Sequence, residues 1–206
     1  MKRAYSVRNV LEAKFRTLEL DGKWKDAIGS PELTGSWFIY GPPKSGKTSL
    51  AMQLVKCLSQ FRRVAYNSIE EGLSLSIRNA MEREGMGEKS TRMVLVKMEY
   101  EELSTWLTQP KSPDIVVIDS VQFMELKYSE YKKLKAMFPN KLFIFISHVD
   151  GVHPDGLAAR KIMRDANVVF SVKVFKAFPI SRYGGGIPIV ISEKMAEGFW
   201  IKDEEL

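Results

Sequence analysis

The sequence predicts an α/β domain, in which a mainly parallel β-sheet is covered by helices on both faces and carries an antiparallel extension at its C-terminal end. Three observations lead there. Asp114-Ile115-Val116-Val117-Ile118-Asp119 and Leu142-Phe143-Ile144-Phe145-Ile146-Ser147 are uninterrupted apolar runs, the pattern of parallel strands buried on both faces. From Gly35 onward, strand-like and helix-like segments alternate, as a helix-covered parallel sheet requires. Past residue 166 the alternation stops, and strands follow one another through turns.

Residues 1–34 are expected to form an N-terminal helical appendage and residues 35–206 the core domain. In the appendage, Val7 to Phe15 has amphipathic helical spacing, Leu18-Glu19-Leu20 is extended, Asp21-Gly22 is a turn, and Lys23 to Ile28 is a short helix. Gly35 to Tyr40 reads as the first strand. Thr48 to Gln60 is a helix with Leu50, Leu54, Cys57 and Leu58 on one face. Val64 to Ser68 is a strand, Leu73 to Glu84 a helix stopped by Gly85, and Met93 to Val96 a strand. Tyr100 to Leu107 and Tyr128 to Phe138 are helices that flank the Asp114 run. After the Leu142 run, Lys161 to Asp165 is helical. Val168 to Phe175, Ile187 to Ile191 and Gly198 to Ile201 are strands, with Gly184-Gly185-Gly186 as a turn.

The most specific motif joins the first strand to its helix. Gly41-Pro42-Pro43-Lys44-Ser45-Gly46-Lys47-Thr48 completes the pattern G-x-x-x-x-G-K-[ST]. The two glycines let the backbone turn tightly and bring N–H groups to phosphate oxygens. Lys47 supplies a point charge for the β- and γ-phosphates, and the Thr48 hydroxyl can ligate Mg²⁺. The helix that begins here, with Ser49 in its first turn, turns its positive end toward the anion. Residues 41–49 are therefore the predicted binding set for a nucleoside triphosphate.

Other candidates lie at strand ends. Asp119 closes the most apolar strand, where open α/β sheets bind ligands, and it can hold Mg²⁺ opposite Thr48. Asp114 opens the same strand and belongs at the opposite edge. Glu70 and Glu71 follow the Val64 strand. Either can orient or deprotonate water for attack on a γ-phosphate, or both can sit in the first turn of the next helix and complement its dipole. His148 follows the Leu142 strand and is placed to sense a γ-phosphate. His148, Asp150, His153 and Asp155 crowd one loop with Gly151 and Pro154; phosphate sensing by His148, ahead of a mobile loop, fits better than a dedicated zinc site. Residues 173–186 mix Lys173, Lys176 and Arg182 with Phe175, Phe178 and Tyr183, a composition suited either to nucleic acid or to an ordinary hairpin.

Bulk properties narrow the class. With 206 residues, 45% hydrophobic and 27% charged, the chain has the make-up of one ordinary globular domain. The formal charge of +6 favours anionic partners. The single cysteine, Cys57, lies on an apolar helical face, so disulfide frameworks and Cys-rich zinc modules are excluded. No segment has the apolar length of a signal peptide core or a membrane span, and a cytoplasmic protein is expected.

Taken together, Gly41-to-Thr48, Ser68-Ile69-Glu70-Glu71, Val116-to-Gln122, Ile146-Ser147-His148-Val149 and Arg182-Tyr183-Gly184 resemble the RecA-like P-loop ATPase superfamily, nearest to the core domains of RadA- and DnaB-type proteins. Their order along residues 35–192 carries the resemblance more than any one of them. It implies ATP and Mg²⁺ as cofactors, Lys47 and Thr48 on the phosphates and metal, Glu70 as water activator, Asp119 in the Mg²⁺ shell, and His148 as the sensor coupled to a DNA-facing loop at about 150–159. Arg182 matches an arginine that in relatives reaches a neighbouring subunit's nucleotide or DNA. The lysine of that motif is replaced by Ile180, with Lys176 as a substitute. The resemblance further implies a homo-oligomeric ring or filament acting on single-stranded DNA in recombination or replication. A P-loop kinase for a small molecule and an oligomeric scaffold with little turnover are the alternative readings.

Overall fold

Eight strands form one mixed sheet in the computed structural model, which describes residues 4–87 and 92–197. In chain order the elements are α1 (Val7–Leu11), α2 (Gly22–Ile28), β1 (Gly35–Tyr40), α3 (Lys47–Leu58), β2 (Val64–Ser68), α4 (Leu75–Arg83), β3 (Met93–Val96), α5 (Tyr100–Leu107) and β4 (Ile115–Asp119). There follow α6 (Tyr128–Met137), β5 (Leu142–Ser147), β6 (Val149–Asp150), β7 (His153–Pro154), α7 (Leu157–Asp165), β8 (Val168–Lys173), β9 (Lys176–Ser181) and β10 (Ile189–Val190).

The sheet order is β10-β9-β8-β1-β5-β4-β2-β3, and β6 pairs with β7 in a separate small hairpin. Strands β8, β1, β5, β4, β2 and β3 are parallel, while β9 runs antiparallel to both β8 and β10. This is the predicted fold class, with the antiparallel extension at the C-terminal edge.

Period-two alternation sends the strand side chains into two cores. On one face Trp37, Ile39, Tyr66 and Val117 pack against Leu50 and Leu54 of α3 and Ile77 of α4. On the other, Phe38, Val116, Ile118, Phe143 and Phe145 pack against Leu103 of α5, Tyr131 and Leu134 of α6 and Ile162 of α7. Strands β4 and β5 are apolar at every position but the last, Asp119 and Ser147, because both faces are covered. Leu18, Leu20, Trp24, Ala27, Ile28 and Leu33, from the segment read as an appendage, join the first core. Thr17 also bridges Glu32 there. Helix α1, by contrast, buries no residue.

Several element bounds differ from those the sequence suggests. The first helix stops at Leu11 rather than Phe15, with Glu12 as its C-cap. The helix expected from Leu73 begins at Leu75, because the Ser74 hydroxyl caps it by accepting from the Ile77 amide. The helix expected from Lys161 begins four residues earlier, at Leu157. The strand expected to run to Phe175 ends at Lys173; Val174 and Phe175 form a tight turn into β9. Of Ile187 to Ile191, only Ile189 and Val190 pair as a strand. The strand expected at 198–201 lies outside the described residues.

Candidate nucleotide site

Register places the site. Tyr40 at the end of β1 lies opposite Ser147 of β5, while Asp119 of β4 lies opposite both Ile146 of β5 and Ser68 of β2. The chain therefore leaves four adjacent parallel strands at one edge, and the next residues are Gly41, His148 and the Ile69–Glu70 pair. Sequence spacing alone says that each candidate follows a strand. The strand order says that they meet.

The loop from Gly41 to Gly46 is closed tightly against the C-terminal hairpin. A Cβ on Gly41 would lie 2.2 Å from the Val172 carbonyl oxygen, and one on Gly46 would lie 2.9 Å from Cδ1 of Phe175. Gly46 also has φ of 103°, which strains any side chain. Pro42 and Pro43 have no N–H to offer, so the donors come from Lys44 onward, where α3 begins at Lys47. The buried Ser45 hydroxyl has no hydrogen-bond partner among the described residues. A phosphate oxygen is the acceptor that such a group lacks. The glycine cradle, the orphaned hydroxyl and the helix start thus fit a polyphosphate.

Lys47 is buried, and its ammonium donates to the carbonyls of Gly41 (2.9 Å) and Pro42 (2.8 Å). Burial lowers its pKa, against the opposing pull of Asp119 and Glu70. Thr48 is half-buried in the first turn of α3. The Ser49 hydroxyl accepts from Nη2 of Arg83 at 3.0 Å.

Asp119 is held by Tyr66, whose hydroxyl donates to Oδ2 at 2.6 Å. Burial pushes the Asp119 pKa above the ordinary carboxylate value. Glu70 and Glu71 act in the same direction, opposed by the Tyr66 hydrogen bond and by His148. A carboxylate so placed is ready for a divalent cation, whose charge reverses that penalty. Thr48 and Asp119 are the residues that could hold Mg²⁺.

Glu70 does not lie in a helix. It occupies the turn after β2, fixed by Ile69 and Gly72 amides donating to the Asp119 and Ser68 carbonyls. Its Oε2 lies 3.4 Å from Nε2 of His148. Helix α4 begins five residues after Glu70, so neither glutamate complements its dipole from the first turn, and Glu71 lines the cleft instead. The cleft beside the loop measures about 790 Å³; Ser76 and Arg83 of α4 form one wall, and Phe175, Ile191 and Met195 form another.

Two residues that the sequence places in the Val116-to-Gln122 stretch and in segment 173–186, Gln122 and Phe175, make contacts at the site that the sequence does not indicate. The Gln122 amide donates to the Ser147 hydroxyl (2.9 Å) and the Asp155 carbonyl (2.8 Å) and accepts from the His148 amide (3.1 Å), so one side chain staples the β6–β7 hairpin to β5. Phe175 covers Gly46, and its backbone amide donates to the Ser45 carbonyl at 2.9 Å. A lone Gln and a Phe in a turn have no spacing pattern that points to such contacts.

Lys47, Glu70, Asp119 and His148 are thus brought together around residues 41–49, whereas Arg182 stands apart. It follows β9 at the other end of the strand, its amide donating to the Asn167 carbonyl. Seven residues of extended chain, on the order of 20 Å, separate it from Phe175 at the loop. Ile180 is 74% exposed beside it. Of the aromatics in this segment, Phe178 is exposed at the surface, and the Tyr183 hydroxyl accepts from Nδ2 of Asn167. Among the described residues no helix is long and apolar enough to cross a membrane.

No known family's sequence pattern matches the chain. Among curated proteins, the RecA of Oleidesulfovibrio alaskensis is 32% identical over 88 residues, which cover 40% of this chain and 24% of that protein. The chain thus spans about a quarter of the length of that relative. Solved structures resemble it over far more of its length. The flagellar accessory protein FlaH of Methanocaldococcus jannaschii matches with a TM-score of 0.62 and 14% identity, covering 87% of this chain and 96% of FlaH. A KaiC-like protein of Pyrococcus horikoshii matches with a TM-score of 0.59 and 15% identity, covering 82% and 88%. The RadB recombinase matches with a TM-score of 0.55 and 20% identity, covering 80% and 90%. With its parallel sheet, its phosphate loop at the end of β1 and these structural relatives, the chain has the RecA-like P-loop fold.

Proposed function

We propose that this protein is a Mg²⁺-dependent ATPase that acts on single-stranded DNA and works as a homo-oligomer. The observation that carries the reading is the convergence of Lys47, Glu70, Asp119 and His148 on the phosphate loop, from four neighbouring parallel strands. Residues 41–49 bind the triphosphate, with Lys47 exchanging its carbonyl partners for phosphate oxygens. Thr48 and Asp119 hold the metal, whose positive charge supports the phosphate oxygens during transfer. Glu70, facing solvent beside His148, orients water and takes up its proton. His148 links that position, through Gln122, to the β6–β7 hairpin.

Arg182 lies too far from its own loop to take part there, so its role in this reading is toward the nucleotide or DNA of a neighbouring subunit. The positive net charge and the likeness to a recombinase structure support a DNA-directed function. The test is ATP hydrolysis with Mg²⁺ at low salt, with and without single-stranded DNA, beside a Lys47→Ala variant. Stimulation by DNA that the variant loses is the expected result. Turnover indifferent to DNA points to a small-molecule acceptor, and bound ATP without turnover to a scaffold.

A further inference from the structure

We propose that the groove between α6 and α7 binds the phosphate backbone of single-stranded nucleic acid, with Lys132, Lys161 and Arg164 as its cations. This rests on the DNA-directed reading above and gives it a surface. The ring of Tyr128 lies at the centre. Nζ of Lys132 and Nζ of Lys161 each stand 5.4 Å from its centroid, so the two ammonium groups are no more than twice that distance apart. Tyr131 stacks against the same ring at 5.6 Å, with an interplanar angle of 21°. Beside the ring is a concavity of about 350 Å³, lined by Tyr128, Lys161, Arg164 and Asp165.

Charge is concentrated here without local compensation. Helix α6 with its Lys127 cap and α7 together hold seven Lys or Arg residues against two acids, Glu130 and Asp165, in a chain whose net charge is +6. Both acids are already engaged. Glu130 accepts from the Lys127 amide at 2.8 Å, and Asp165 accepts from the Lys135 ammonium at 2.7 Å and from the Tyr131 hydroxyl. Among the described residues, Lys132, Lys161 and Arg164 form no ion pair. Crowding cations in this way opposes folding unless an anion neutralises them.

The chemistry of the groove selects the anion. Protein–protein interface cores are apolar and poor in lysine, whereas nucleic-acid surfaces are polar and strongly positive. No large apolar side chain lines this concavity apart from the flanked tyrosine. The groove lies along the second half of α7, where Tyr131 bonds both Asp165 and Ser36 near the start of β1, away from the phosphate loop.

The experiment compares the full chain with a Lys132→Ala/Lys161→Ala variant and with a Lys14→Ala/Lys25→Ala control. Binding of a fluorescein-labelled oligothymidylate is followed by anisotropy over a salt series, beside ATP turnover without DNA. The expected result is unchanged DNA-independent turnover in all three proteins. The groove variant loses at least tenfold in affinity at low salt, and its salt dependence is shallower by roughly 0.7 per cation removed; the control changes neither. Equal affinity and slope in the groove variant and the full chain overturn the proposal, as does an equal loss in the control. Unaltered DNA binding with a changed sedimentation coefficient assigns the groove to contact between copies and also overturns it. A full chain that does not bind the oligonucleotide at all defeats the DNA-directed reading itself, a result distinct from a groove variant that matches a binding full chain.

Discussion

The Tyr66 hydroxyl donates to Oδ2 of Asp119 across 2.6 Å, linking β2 to β4 at the edge where the phosphate loop begins. Tyr66 is wholly buried, so the bond is shielded from water and fixes the orientation of the carboxylate. Tyr66→Phe keeps the ring and removes the donor. It is expected to cost about 1–3 kcal/mol of stability, because a buried acceptor is left unpaired; urea unfolding measures this. The Mg²⁺ concentration for half-maximal turnover should also rise, which mere loss of packing would not produce.

Asp119 is a stability cost retained for function. Burial, then Glu70 and Glu71, raise its pKa despite the bond from Tyr66 and the nearby His148. A raised folded-state value means that its contribution to stability is full below about pH 4 and is lost as pH rises through that value. Asp119→Asn keeps an acceptor for Tyr66 and removes the charge. Its melting temperature at pH 7 is expected to exceed that of the parent, while Mg²⁺-dependent turnover disappears. A lowered melting temperature would contradict the account.

Asp165 behaves in the opposite sense. Burial alone would raise its pKa, but hydrogen bonds from Lys135 and Tyr131 and the charges of Lys135 and Arg182 outweigh it, and the value is lowered. A depressed value means stability that is present above about pH 4 and lost as pH falls through the folded-state value. Thermal unfolding from pH 6 down to pH 2 should therefore fall less steeply for Asp165→Asn than for the parent.

The turn between β8 and β9 stores strain. Val174 and Phe175 have φ of 43° and 55°, a region disfavoured for a β-branched residue and normally filled by Asn or Gly in two-residue hairpins. Val174→Asn is expected to stabilise the fold by about 1 kcal/mol, visible as a higher urea midpoint with an unchanged slope. Nucleotide affinity should stay within twofold, since Phe175 keeps its place over Gly46.

The parts of the fold that the sequence made legible are those set by local pattern. Helix α5 spans Tyr100 to Leu107 as its spacing predicts, and the apolar runs became β4 and β5, because full burial on both faces leaves no polar position to blur them. Bounds failed where the signal was a cap or a turn. Helix α7 starts at Leu157, which is 64% exposed, behind an N-cap glycine, Gly156, that offers no side-chain hydrogen bond, so neither a capping residue nor a buried first position marked its start. The hairpin turn at Val174 and Phe175 lacks every usual turn residue. At the site, the phosphate loop was readable because its chemistry demands fixed residue types at fixed spacing. The Tyr66–Asp119 bond, the Gln122 staple and the Phe175 cover depend on which strands are neighbours, and spacing along the chain does not encode that.

Strand β1 has β5 on one side and β8 on the other. Tyr40, its last residue, is paired with Ser147 and with Ser171, and Gly41 then rests against the Val172 carbonyl. One of these flanking strands is followed by His148, the other by the Val174–Phe175 turn that returns to cover the loop. The loop is thus held between two strands that both continue into the site. A side chain at Gly41 would put its Cβ 2.2 Å from the Val172 carbonyl oxygen, so any residue but glycine there must push the loop away from β8.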